Sequence, residues 1–340
     1  MMNDKMLWDC CETYNKLLHY IRYKKCKLSE KIFGRSYWGN PKMVAGVPLK
    51  SVIKTNQIIY EKIVNGEAFW TGRFGGTEMN LIYQTLAHRK NPNVDRRADA
   101  VQRLCLLSGF FPFSIELGEK FTDLMLKDCQ EIDLLGAWRR YMEEYIFLKY
   151  QKNTTLTELH RLEPWNMYQY PKSRIKPWTA ALKGKRVLVI HPFTESIQKQ
   201  YHEKRELLFA NVFEADDILP EFELLTLKAV QTLGGEQDTR FQTWFDALQW
   251  MIDECKKIDF DVAIIGCGAY GFPLAAEIKR MGKTAIHLGG VTQILFGIIG
   301  TRWETEYPEF YKTFVNEYWV RPLEQEKITN ANAIESGCYW

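Results

Sequence analysis

Residues 260–290 read FDVAIIGCGAYGFPLAAEIKRMGKTAIHLGG. Phe260–Ile265 is a short apolar run, and Gly266, Gly268 and Gly271 follow it. Helical apolar spacing then covers 271–281, and a second apolar run, Thr284–Leu288, stops at Gly289-Gly290. Strand, glycine turn, helix and strand in this order make a βαβ unit, whose parallel strands need cover on both faces. Upstream, Lys185–Ile190 (KRVLVI) and Glu221–Leu227 (EFELLTL) repeat the strand pattern, with helical spacing at about 195–212 and 239–257. Glu67–Arg73 (EAFWTGR) reads as the first strand, after a helix across 50–64. Residues 79–150 read as mostly helical with a break near Gly109–Pro112, and 151–180, with Pro164, Pro171 and Pro177, as an irregular connection.

The fold class expected is α/β, a Rossmann-like, mostly parallel sheet with a helical insertion at about 79–180 and an N-terminal helix. The expected organisation is an N-terminal helix and basic connector over 1–49, the α/β domain over 50–320, and a tail over 321–340 packed on that domain. Composition agrees with a globular chain: 340 residues, 46% hydrophobic, 26% charged, net charge +3. Such balance gives no electrostatic case for a nucleic-acid partner. Apolar runs such as Ala263–Gly268 and Ile294–Gly300 are too short to span a bilayer, and the acidic N-terminus lacks a signal-peptide pattern. The eight cysteines show no C-x-x-C pair. A cytoplasmic location, at most at the inner face of a membrane, is expected. Aromatic residues reach 14%, which suits core volume and also flat faces for sugars or bases.

In open parallel sheets ligands bind beyond the carboxyl ends of the strands. Five windows follow: Arg73–Glu78, His191–Glu195, Lys228–Gln231, Gly266–Gly271 and Gly289-Gly290. Gly266, Gly268 and Gly271 form G-x-G-x-x-G after a strand and before a helix, as a dinucleotide site requires. That site also needs an acid near the end of the next strand, and none occurs between Lys279 and Gln293. An NAD-dependent oxidoreductase is therefore disfavoured. A glycine turn suited to a diphosphate and a packing turn without a ligand both remain open.

Arg73-Phe74-Gly75-Gly76-Thr77-Glu78 combines a residue that forks onto phosphate, backbone free for close approach, and a carboxylate able to ligate a hard cation. This segment resembles the strand end of the GT-D fold glycosyltransferases, which carries an R-x-G-D-G-E-like motif. The resemblance continues in KRVLVIHPFTES, in EFELLTLKAVQT and in residues 260–290, covering roughly 60–83 and 185–295. It implies a transferase that takes a nucleotide-diphosphate sugar, a UDP-sugar favoured, and serves surface polysaccharide synthesis on a glycan or lipid-linked acceptor. The implied donor and diphosphate contacts are Arg73, Gly75, Gly76, Thr77, Lys228, Gly266, Gly268, Gly271 and Gly289. Gly76 stands where the family has the Asp of Asp-x-Glu, so a divalent cation, manganese or magnesium, would rest on Glu78 alone. A non-catalytic nucleotide- or glycan-binding protein of the same fold is the alternative.

Transfer to an acceptor hydroxyl needs a base, and Glu195 and His191, just after KRVLVI, are the candidates. Each has a plain structural reading, Glu195 as a helix N-terminal acid and His191 as a strand cap. His287 reads as a core histidine. Residues 301–325 are dense in aromatics (Trp303, Tyr307, Phe310, Tyr311, Phe314, Tyr318, Trp319), and the chain ends GCYW. They either fold over the cleft or pack on the domain surface, and Arg302 and Arg321 are candidates for an anion site. Residues 3–23 carry apolar positions at helical spacing and run into Arg22, Lys24, Lys25, Lys27 and Lys31. Either this helix docks on its own domain or its basic end leans on anionic lipid or a partner. No reading of the oligomeric state emerges.

Overall fold

The computed structural model describes residues 3–33, 43–138, 142–151, 153–236, 238–331, 334 and 337–340; beyond Tyr14, the first helix has described side chains only at Lys16, Leu17, Tyr20, Ile21 and Lys24. Gly34 and Gly39-Asn40-Pro41, residue types that signal loops in the sequence, lie outside the described residues.

Seven strands form one all-parallel sheet: β1 Phe69–Gly72, β2 Leu134–Ala137, β3 Thr155–Glu158, β4 Arg186–His191, β5 Glu223–Lys228, β6 Val262–Ile265 and β7 Thr284–His287. Their spatial order is β3-β2-β1-β7-β6-β4-β5. The main helices are α1 Asp4–Phe33, α2 Val52–Asn65, α3 Gly76–Lys90, α4 Arg97–Ser108, α5 Ile115–Asp128, α6 Glu143–Tyr150, α7 Thr194–Lys204, α8 Trp244–Lys257 and α9 Gly271–Arg280.

The period-two geometry of a strand sends alternate side chains to opposite faces, and the central strands are apolar on both. Trp70, Leu135, Leu188, Ile190, Ala263, Ile265 and Ala285 join one core, with residues of α3, α4, α5, α8 and α9. Phe69, Leu134, Val187, Val189, Val262, Ile264 and Ile286 join the other, with Ile59 and Ile63 of α2, Ile197 of α7 and the C-terminal segment. This is why KRVLVI and FDVAII are continuously apolar rather than alternating.

Residues 79–180 are more than a helical insertion. They contribute helices, but also β2 and β3, which extend the sheet through the pairs Thr71↔Leu134 and Leu135↔Leu156. The helix expected across 195–212 ends at Lys204 and continues as turns, while the N-terminal helix runs on to Phe33. The last residues pack on the domain: Ile334, Cys338 and Trp340 are buried in the second core, and the Trp340 carbonyl accepts from the Thr301 amide at 3.2 Å. Among the described residues no helix is long and apolar enough to cross a membrane.

Candidate active site

A cavity of about 1010 Å³ opens above the carboxyl ends of six strands, from Glu158 of β3 to His191 of β4. Each of the five strand-end windows contributes to its lining: Arg73 and Gly75–Glu78, His191–Phe193, Gln231, Gly266 and Gly268, and Gly289-Gly290. Its size is at the upper end of the roughly 300–1,000 Å³ usual for small-molecule sites.

Arg73 leaves the end of β1. Its guanidinium lies 5.3 Å from the Trp138 ring centroid and forms no ion pair with any described residue. Burial depresses its proton affinity, and the main opposing influences are Tyr339, Glu163, Glu78 and Tyr307. An arginine stays protonated regardless, so a positive charge stands in the wall without a carboxylate of any described residue bound to it. Gly289 makes room for it. That residue has φ +63°, and a Cβ there would sit 2.8 Å from Arg73 Nη2.

Glu78 is the third residue of α3 and only 6% exposed. Its carboxyl curls back over Gly75, where a Cβ would lie 1.8 Å from Oε2, and Thr77 Oγ1 donates to it at 3.0 Å. Burial pushes its pKa up despite these bonds. The donor set does not fit a preformed cation centre. Gly76 supplies no side-chain ligand, Glu78 is drawn onto its own helix terminus, and no cluster of three His, Cys, Asp or Glu suited to a metal occurs among the described residues. A Cβ at Gly76 would meet nothing within 4 Å, so the position could carry the missing acid.

His191 and His287 are both buried in the cavity wall. Burial lowers the pKa of His191 to about 3; for His287 burial and then the Arg73 charge have the same effect. Both are neutral near pH 7. His191 Nδ1 accepts the Phe193 amide at 3.0 Å, which places the ring hydrogen on Nε2. The lone pair a base would use is therefore engaged, and His191 is suited to donate rather than to accept. His287 is buried, and its Nδ1 has no geometrically good hydrogen-bond partner among the described residues.

The three glycines of the fingerprint part company. Gly266 and Gly268 line the cavity, whereas Gly271 lies behind it. A Cβ at Gly271 would stand 2.4 Å from His287 Nε2, so this glycine lets α9 close on β7.

Glu195 and Lys228 are not among the lining residues. Lys228 ends the edge strand β5, far from β1 in the sheet, and its Nζ lies 3.7 Å from Glu195 Oε1 on the exposed side. Gln325 donates to Glu195 Oε2 at 3.0 Å. The first amides of α7 are met instead by Glu326, whose Oε1 accepts from the Glu195 amide at 2.8 Å. Glu195, expected as base, and Lys228, expected at the diphosphate, thus lie beside each other outside the cavity lining.

The structure adds acidic residues that the sequence reading missed. Glu158, at the end of β3, has its pKa raised by burial. Glu163 nearby accepts from Trp165 Nε1 at 3.1 Å, and its other oxygen lies 3.0 Å from His160 Nδ1. For His160 burial acts downward, but the Glu163 partner and the Glu158 charge outweigh it and the pKa rises. An aromatic, C-terminal part of the wall adjoins them, Trp303, Tyr307, Phe310, Phe314, Tyr339 and Trp340, with the Tyr307 ring 6.3 Å from that of His160. Arg302 joins it, 5.1 Å from the Tyr339 ring centroid, while Arg321 pairs with Glu304 at 2.6 Å.

No protein-family model and no curated protein sequence matches the chain. Two solved structures show distant similarity. One is described as a selenomethionine-substituted structure of domain of unknown function 1792, at 13% identity and TM-score 0.40, covering 81% of this chain and 96% of that one. The other is described as showing that this highly conserved domain has a distinct glycosyltransferase fold, at 13% identity and TM-score 0.39, with the same coverage.

Proposed function

We propose that the chain is a glycosyltransferase that holds a nucleoside diphosphate sugar in this cavity and passes the sugar to a hydroxyl of a glycan or lipid-linked acceptor. The observation that carries the reading is Arg73: a cation with no ion-pair partner among the described residues, set in a large cavity beside the Gly289-Gly290 turn and aromatic walls. Such a charge calls for an anionic ligand, and a guanidinium matches phosphate oxygens in forked geometry.

In the transfer the bond between the anomeric carbon and the diphosphate breaks, with its electron pair leaving on the diphosphate oxygen. Arg73 and the Nε2–H of neutral His191 stabilise the charge that gathers there. The acceptor oxygen forms the new bond and gives up its proton. Glu158 is the base: it lines the same cavity, and burial raises its proton affinity against the opposing His160 charge and backbone hydrogen bond, whereas Glu163 has side-chain partners on both oxygens. No step is routed through a cation. The aromatic C-terminal wall offers flat faces to the nucleobase and to sugar rings. Against a nicotinamide cofactor stands the end of β7, where Leu288-Gly289-Gly290 provides no acid for a ribose.

The test is thermal unfolding with UDP, GDP, CMP and NAD, each with manganese and with chelator. A ligand that binds only the folded state raises the midpoint by mass action. A rise with one nucleoside diphosphate, absent in Arg73→Met, supports the reading. A response to NAD alone, or a UDP response unchanged in Arg73→Met, refutes it.

A further inference from the structure

α1 is longer than its docking requires. At about 1.5 Å per residue its 30 residues extend roughly 45 Å. The first turns seat it on the domain: Trp8 and Cys11 are buried, Trp8 stacks on Tyr83 at 6.0 Å, and Asp4 pairs with Lys149 at 2.7 Å. From Thr13 onward every residue of the helix whose side chain is described is exposed.

The exposed surface is not polar. Met6, Cys10, Tyr14, Leu17 and Ile21 follow one another at spacings of four, four, three and four, which places them on a single stripe. Met6 is 56% exposed, Leu17 55% and Ile21 40%, and Tyr20 at 60% borders them. A shallow groove of about 550 Å³ along Met6, Asp9, Cys10 and Tyr14 lies on the same side of the helix. Met6, Cys10, Leu17 and Ile21 are all exposed. The helix then continues through residues 22–31, RYKKCKLSEK, with five basic residues against one acidic.

We propose that α1 is a membrane-docking helix, which lays the Met6–Ile21 stripe into the interface of an anionic lipid surface while the basic run engages the headgroups. An exposed apolar stripe, tyrosines at its margin and concentrated positive charge beside it are what an interfacial helix requires. The charge selects lipid as the occupant, because anionic headgroups satisfy the whole run at once.

The test uses the full chain in vesicle co-sedimentation, comparing pure phosphatidylcholine with an equimolar mixture of phosphatidylcholine and phosphatidylglycerol. The expected result is binding to the mixed vesicles at low salt, weak binding to the neutral ones, and release as salt rises. Burying one large aliphatic side chain is worth about a tenfold change in affinity or more. Leu17→Glu and Ile21→Glu together therefore reduce vesicle binding by at least roughly a hundredfold, with thermal midpoint and nucleotide response unchanged. Failure of the unaltered chain to bind anionic vesicles overturns the proposal. So does equal binding by the double variant. A soluble dimer that the double variant converts to monomer also overturns it, by showing a second copy on the stripe.

Discussion

Replacing Arg73 with methionine separates ligand binding from folding. The methionine keeps most of the aliphatic stem and removes the charge. On the folding side two effects oppose. The variant loses a cation–π contact at 5.3 Å, worth about 0.5–2 kcal/mol. It also removes a guanidinium that burial disfavours and that Glu163 and Glu78 offset only in part, without an ion pair among the described residues. The net change in stability is therefore within about 1 kcal/mol, near the level of an ordinary surface substitution. On the binding side the phosphate loses charge-assisted hydrogen bonds, about 1.5–3 kcal/mol, or roughly a 10- to 150-fold weaker Kd. Denaturant unfolding without ligand and calorimetric titration with UDP measure the two separately. Unchanged UDP affinity would refute the assignment of Arg73 to the diphosphate. A loss of several kcal/mol of stability would show instead that Arg73 holds the fold.

Four further outcomes follow from the same geometry. Gly289→Ala places a Cβ at φ +63° and 2.8 Å from Arg73 Nη2, so it should cost about 1–2 kcal/mol in denaturant unfolding and weaken UDP binding as well. Glu158→Gln should retain UDP binding by calorimetry and lose sugar transfer by at least about a hundredfold, the usual contribution of a general base. Gly76→Asp meets no steric barrier and sets a second carboxylate near Glu78, so its UDP response should become dependent on manganese while that of the unaltered chain is not. The fourth concerns pH. His191 and His287 have folded pKa values of about 3 against 6.5 when unfolded, so their neutral forms favour the fold above 6.5. That contribution is lost as pH falls from 6.5 towards 3, by about 1.4 kcal/mol per pH unit for each histidine. Urea midpoints should fall below about pH 6, and a flat profile there would contradict the burial of both rings.

The central half of the sheet was legible because its strands are buried on both faces, which leaves runs such as KRVLVI and FDVAII with no competing helical period. β2 and β3 were hidden for different reasons. Leu134–Ala137 is four residues between helices and merges with their apolar spacing. Thr155–Glu158 is an edge strand whose alternation, with Leu156 buried, is too short to stand out beside a proline-rich stretch. Missing β3 meant missing Glu158, His160 and Glu163, because a strand-end rule finds residues only where a strand is recognised. The same rule found Arg73, His191, Gly266, Gly268 and Gly289, all of which line the cavity. It also picked Glu195 and Lys228, which lie outside the cavity lining, since proximity in sequence to a strand end does not distinguish a central strand from an edge. The direction of His191 as donor could not be read from sequence at all, because it depends on the Phe193 amide two residues away turning onto Nδ1.

The most direct measurement is a crystal structure of the complex with UDP. The diphosphate should lie within hydrogen-bond distance of the Arg73 guanidinium, beside the Gly289-Gly290 turn, with the base against the aromatic C-terminal wall. A diphosphate bound elsewhere on the molecule, with Arg73 left untouched, would contradict the assignment of this cavity to a nucleotide-sugar donor.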